Sequence, residues 1–285
     1  MVCKRTTLRI KMRPPMHQPS AGSSLSERRH TRILPVIFRW LSVLLIGVPS
    51  LHQASPALLP FSSGSSSTNG LVPRVFQGTA TSGTTLRVPA QYPTIQAAID
   101  AAATGDLVLV APGTYSETPV IANKGISLAS EFFTTGDSSF IDATILQGNG
   151  SSQGITVQAT AAGTSIVGLT IRSGGAGVVD GVHALGSVTV RHNHIIGYDD
   201  GIDFGPPTGS TGTCTCQFNT IEGSTDDGID LDGASNGLLE GNVLRNNHED
   251  GIEIRFHDYA GPLSIVIRGN RLQGNGQDGI QLIDY

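Results

Sequence analysis

The chain's 285 residues leave room for one or two domains, and 36 glycines with only 5% aromatic residues favour many turns and thin layers over a large globular core. The net charge of −5 hides an asymmetry: residues 1–39 carry nine Lys/Arg against one acid, Glu27, so residues 40–285 stand at a formal −13. An acidic body without a basic stripe to follow phosphates argues against nucleic acid as a partner.

Residues 1–57 read as a basic leader with a signal peptide or anchor. The twelve mostly apolar residues Trp40–Leu51 are short for a membrane span of ~20 but normal for the apolar core of a secretory signal. Ala54, Ser55 and Ala57 offer small residues for cleavage, and retention as an anchor through Ile33–Leu51 is the alternative. In both cases the body is expected outside the cytoplasm, secreted or at the cell surface, with membrane contact only through an uncleaved N-terminal segment. Residues 58–85, rich in Ser, Gly and Thr without periodicity, read as a linker, which leaves 86–285 as the folded domain.

The first expected element is a helix. "TIQAAIDAAA" (94–103) places Ile95, Ala98, Ile99 and Ala102 on one face. Such a helix can cover the end of a strand stack, whose bare edge would otherwise recruit other strands. "DLVLVAPGTYSE" (106–117) then reads as the start of the first coil, turned by Pro112-Gly113.

Downstream a six-residue phrase recurs: "VDGVHA" (179–184), "DDGIDF" (199–204), "DDGIDL" (226–231), "EDGIEI" (249–254) and "QDGIQL" (277–282). Alternation within it turns Val182, Ile202, Ile229, Ile252 and Ile280 toward a core, with Ala184, Phe204, Leu231, Ile254 and Leu282 beside them. The pairs Val188/Val190, Cys214/Cys216, Gly237/Leu239 and Ile265/Ile267 make a second inward strand. Ile195, Ile221, Leu244 and Leu272 mark a third. Asn193, Asn219, Asn242 and Asn270 each precede the next phrase's Gly by 8 or 9 residues, whereas the way from that Gly to the next Asn varies from 12 to 19. A fixed turn, a variable loop and three short parallel strands per coil describe an all-β parallel β-helix with an N-terminal capping α-helix. Leucine-rich repeats, the rival solenoid, would need a spaced leucine scaffold that is missing.

An amide at one turn of every coil can donate to one neighbouring coil and accept from the other. Asp180, Asp200, Asp227, Asp250 and Asp278, each before the phrase's Gly, are read as turn residues too. Cys214 and Cys216 are expected as buried core thiols, not a disulfide or a metal pair.

Residues 86–130, "LRVPAQYPTIQAAIDAAATGDLVLVAPGTYSETPVIANKGISLAS", resemble the opening of right-handed parallel β-helix proteins of the pectin lyase-like superfamily. The resemblance covers about 86–285 and implies the right-handed fold, with extracellular polysaccharide as a common target. It points to no specific enzyme family. Pro112, Gly113, Thr114, Tyr115 and Glu117 are similar to the opening of pectinesterases, but the later glutamine and aspartate motifs of those enzymes are missing. The Gly-His-Gly and Arg-Ile-Lys motifs of polygalacturonases are missing from the coils as well. Pectate lyases imply a further pattern, Ca²⁺ on carboxylates with an arginine base, for which Arg191, Arg255 and Arg268 are available.

Between the two inward columns of the phrase stand His183, Asp203, Asp230, Glu253 and Gln281, which should form an outward ladder at ~4.8 Å per coil. Neighbouring carboxylates at that spacing repel unless a cation, a proton or an arginine intervenes. Asp203, Asp230 and Glu253 are therefore candidate Ca²⁺ ligands, and with His183 candidate catalytic groups of a lyase, epimerase or hydrolase. A solvated polar face is the structural alternative. Arg191, Arg255, Phe256 and Tyr259 are candidate polysaccharide contacts, with residues 205–213 and 255–262 walling a groove. An anionic polymer would be repelled by a body at −13 unless bound Ca²⁺ reversed the local field; a neutral glycan is the alternative ligand.

"QLIDY" (281–285) opens a new coil that nothing follows, which predicts a truncated chain or an end covered by a partner or by self-association. The sequence as a whole predicts an exported β-helix that binds or modifies extracellular polysaccharide. The competing reading is a non-catalytic surface or adhesive scaffold.

Overall fold

The computed structural model describes residues 7–12, 83–175, 179–207, 210–233, 235–256 and 263–284. Its coils stack into three parallel sheets, as the repeat spacing predicts. The first sheet has nine strands, and across it lie Thr7–Met12, Leu263–Arg268, Ser235–Glu240, Gly212–Gln217, Val188–Arg191, Thr164–Val167, Ser127–Ser130, Leu107–Val110 and Thr85–Val88. The second and third sheets have seven strands each, from Gly113–Tyr115 to Arg271–Gln273 and from Val120–Ile121 to Ile280–Asp284. The architecture is a right-handed parallel β-helix with three strands per coil. Two features were not expected. Thr85–Val88 pairs with Leu107–Val110, so the stack begins one strand earlier than "DLVLV". Within the leader, Thr7–Met12 runs antiparallel along Leu263–Arg268, in register from Thr7↔Arg268 to Met12↔Leu263.

The helix Ile95–Ala101 buries Ile95, Ala98 and Ile99, with Ala102 buried just after it, which is the face the sequence marks. Its ends are closed by side chains. Thr94 Oγ1 accepts from the Ala97 N–H, and the Glu117 carboxylate accepts from the N–H groups of Ile95 and Gln96, each at 3.0 Å. Lys124 Nζ donates to the carbonyls of Ile99, Asp100 and Ala102 at 2.8–3.0 Å. Orphan donors thus meet an acid and orphan acceptors a cation, as the helix dipole favours. Glu117 of the pectinesterase-like opening is therefore a helix cap, and Tyr115 Oη donates to the Ala111 carbonyl.

The inward columns fill the coil interior. Val182, Ile202, Ile229 and Ile252 are fully buried, with Ala184, Phe204 and Leu231, each large apolar side chain contributing ~1.5–3 kcal/mol. Cys214 and Cys216 lie in the same core with their Sγ atoms 3.2 Å apart and unbridged. The asparagine column forms as expected: Asn219 Nδ2 donates to the Val190 carbonyl and to Asn242 Oδ1, and Asn242 Nδ2 to the Cys216 carbonyl and Asn270 Oδ1. The preceding residues, His192, Phe218, Gly241 and Gly269, all take the left-handed conformation, at φ of 55 to 66°. His192 tolerates it beside Phe132 and Phe218, whose rings lie 4.9 and 5.1 Å from its own. A second column escaped the sequence reading: Ser224 N–H donates to Asn247 Oδ1 and Asn247 N–H to Asn275 Oδ1.

Among the described residues no helix is long and apolar enough to cross a membrane, and Trp40–Leu51 lies outside them.

Candidate functional site

Strand register in the third sheet sets His183 opposite Asp203, Asp203 opposite Asp230, Asp230 opposite Glu253 and Glu253 opposite Gln281. The ladder that alternation predicts is therefore present. Its middle is not a solvated face, Asp230 being 3% exposed and Glu253 4%, whereas His183 and Asp203 are partly exposed. Residues i and i+2 of a strand share a side, so Asp232 and Arg255 join the ladder from the same strands or their ends. Arg255 Nη1 lies 2.6 Å from Asp230 Oδ2 and 3.4 Å from Asp232 Oδ1. Its Nη2 touches Glu253 Oε1 as an ion pair without hydrogen-bond geometry. One guanidinium thus serves three carboxylates.

At the other end His183 Nδ1 lies 2.5 Å from Asp203 Oδ2 and 3.2 Å from Asp180 Oδ2. Hydrogen bonds to Asp180 and Asp203 push the imidazole up to about 10 against the opposing effect of burial, so it is protonated at neutral pH. Asp203 is itself raised by burial, with His183 pulling the other way.

Behind the ladder runs the turn column. Asp200 Oδ1 accepts from the Asp227 N–H at 2.9 Å, Asp227 Oδ1 from the Asp250 N–H at 2.7 Å and Asp250 Oδ1 from the Asp278 N–H at 2.5 Å. This is the turn work the sequence assigns to these aspartates. Their burial, more than any neighbouring charge, pushes Asp200 up to about 8 and Asp227 to about 7; burial raises Asp230 in the ladder as well, with the Arg255 guanidinium pulling it back down.

Among the described residues three sets of donors converge so that one atom from each residue lies within 4.8 Å of the others: Asp180–His183–Asp203, Asp203–Asp230–Asp232 and Asp227–Asp250–Glu253. The expected ligands Asp203, Asp230 and Glu253 are thereby divided between two sets. Asp232, two residues past Asp230, completes the first of them, a position the period-two pattern would have given had it been carried past the phrase. The set Asp203–Asp230–Asp232 fits a hard cation. All its donors are oxygens, and Asp230 Oδ1 is buried without a hydrogen-bond partner.

The other expected contacts are scattered. Arg255 is in the site. Arg191 sits on the first sheet with its guanidinium carbon 6.0 Å from the Phe133 ring centre. Arg268 pairs with Glu240 at 2.8 Å. Phe256 is corrected from a sugar-stacking residue to a core residue: it is 7% exposed because Ile252–Phe256 continues the inward alternation of Ile252 and Ile254. Tyr259 lies outside the described residues, as does most of the expected 255–262 wall.

Coils of three parallel strands with an acid ladder on one sheet define a β-helix protein. Residues 125–285, more than half of the chain, match the family described as right handed beta helix region, and the chain belongs to that family. No curated protein and no solved structure matches the chain.

Proposed function

We propose that this β-helix is exported and binds extracellular polysaccharide through a divalent cation, Ca²⁺, held by Asp203, Asp230 and Asp232. The observation that carries this reading is Asp230, a member of an oxygen-only donor set whose Oδ1 is buried without a hydrogen-bond partner. Ca²⁺ takes six to eight oxygens, so three carboxylates leave positions for water and for polymer hydroxyls or carboxylates. The ion supplies the positive charge that a body at −13 needs before an acidic polymer can approach. Within the protein Arg255 fixes Asp230 and His183 fixes Asp203. Any lyase, epimerase or hydrolase chemistry falls to His183 and Asp203, which are partly exposed, rather than to the covered Asp230 and Glu253.

The test is retention of the full chain on an insoluble polyuronate with Ca²⁺ or with chelator. Retention only with Ca²⁺, and its loss in Asp232→Asn, supports the proposal; retention unaffected by chelation overturns it. The burial of Asp230 and Glu253 under Arg255 favours a second reading, the scaffold, in which these acids only hold coils together. That reading expects retention on neither polyuronate nor neutral glycan under any condition.

A further inference from the structure

We propose that Asp180, His183 and Asp203 form a second metal site, distinct in chemistry from the ladder's oxygen-only set and suited to a borderline ion such as Zn²⁺. The triad offers one imidazole nitrogen and two carboxylate oxygens, all within 4.8 Å of one another. Two donors each ~2.1 Å from an ion stand about 3.4 Å apart at a tetrahedral angle and about 3 Å apart at 90°. Nδ1 of His183 lies 3.2 Å from Asp180 Oδ2, near that separation, and 2.5 Å from Asp203 Oδ2, a contact that must open by about 0.5–0.9 Å to admit an ion.

The three residues are held by the coil rather than by the ion. His183 and Asp203 are opposite each other on the paired strands Val182–Ala184 and Ile202–Phe204. Asp180 is fixed by its backbone: its N–H donates to Gln153 Oε1 and its carbonyl accepts from the Gly154 N–H at 2.8 Å. Side-chain exposures of 25% for His183 and 15% for Asp203 give an ion a way in and leave coordination positions open. Charge points the same way. Two carboxylates and a neutral imidazole, the form in which His183 would bind a metal, carry −2, which a dication cancels. A nitrogen donor separates this set from Asp203–Asp230–Asp232, since imidazole favours zinc and its neighbours in the first transition row, whereas carboxylates alone favour calcium.

The experiment is Zn²⁺ titration calorimetry on the chelator-treated full chain and on His183→Gln, Asp180→Asn and Asp232→Asn, with far-UV circular dichroism of each variant. One Zn²⁺ equivalent should weaken at least tenfold in His183→Gln and in Asp180→Asn and stay unchanged in Asp232→Asn. Absence of saturable binding, or binding equal in all four proteins, overturns the proposal. Should the His183 and Asp180 variants unfold, zinc-edge absorption of the parent decides: a nitrogen and oxygen shell supports the site, and a sulfur shell places the ion on cysteine and overturns it. The Ca²⁺ proposal is read separately, because Asp232 belongs to the calcium set alone and Asp180 to the zinc set alone.

Discussion

Arg255 and Asp230 stand on neighbouring coils, 25 residues apart in sequence, with Nη1 2.6 Å from a carboxylate that is almost wholly buried. Burial of the guanidinium alone would lower its pKa, but Asp230, Glu253 and Asp232 raise it, so the charge on Arg255 is secure. Arg255→Met should leave Asp230 and Glu253 buried without a countercharge and destabilise the fold by about 3 kcal/mol. Urea unfolding measures it. Adding Asp230→Asn to Arg255→Met should recover part of the loss, and equal stability of parent and Arg255→Met would remove the ion pair from the account.

The acid columns set a pH dependence with an unusual sign. Asp200 and Asp227, which have no arginine partner, are raised from 3.8 to about 8 and 7, so the folded chain holds protons that the unfolded chain releases. Their contribution is complete below pH 3.8 and is lost as pH rises through 7 to 8. His183, raised from 6.5 to about 10, acts in the same sense, its contribution complete below 6.5 and lost as pH rises through 10. Glu222 and Glu240 are lowered, chiefly by hydrogen bonds from Arg245 and Arg268, and lose stability only in acid below this window. Without divalent cations the melting temperature should fall from pH 5 to pH 9 by several degrees, roughly 2–4 °C per kcal/mol. Added Ca²⁺ should restore most of it at pH 9. A melting temperature that rises from pH 5 to pH 9 in chelator would contradict these assignments.

Asn219 and Asn242 carry the turn between the first and second sheets. Asn242 Oδ1 accepts from both the backbone N–H and Nδ2 of Asn219, and its own Nδ2 has two acceptors. Asn242→Ala should strand these partners in a buried turn and destabilise by about 3 kcal/mol, given ~1–3 kcal/mol for each buried group left unsatisfied. Asn242→Asp, which keeps the acceptor and removes the donors, should also be destabilising. Chemical denaturation of both variants checks this, and unchanged midpoints would reduce the ladder to a bystander.

Cys214 and Cys216 should resist a thiol reagent while the coil is folded. Each is fully buried, and their mutual hydrogen bond and burial push the Cys214 thiol up. Titration with an aromatic disulfide should find both thiols only after guanidinium is added, and fast labelling of the folded protein would contradict their placement.

Much of this was legible in the residues because a coil repeats its environment. Period two gave the inward columns, and fixed spacing gave the asparagine turn and the register His183, Asp203, Asp230, Glu253. What the sequence could not convey was the depth of that ladder. Alternation distinguishes two sides of a strand but not whether the outer side is covered, and Arg255 folds back over Asp230 from the next coil. The same limit misplaced Phe256, which follows the alternation of Ile252 and Ile254 one step beyond the repeated phrase. Asp232 was overlooked for the same reason. Glu117 and Lys124 close the ends of the helix Ile95–Ala101 through contacts 21 to 25 residues away, which no local pattern encodes.

The most direct measurement is Ca²⁺ titration calorimetry on the chelator-treated full chain, Asp230→Asn, Asp232→Asn and Glu253→Gln. One saturable site, weakened at least tenfold in Asp230→Asn and Asp232→Asn and retained in Glu253→Gln, is the expected result. No saturable binding, or binding lost in Glu253→Gln and kept in Asp232→Asn, would contradict a cation held by Asp203, Asp230 and Asp232.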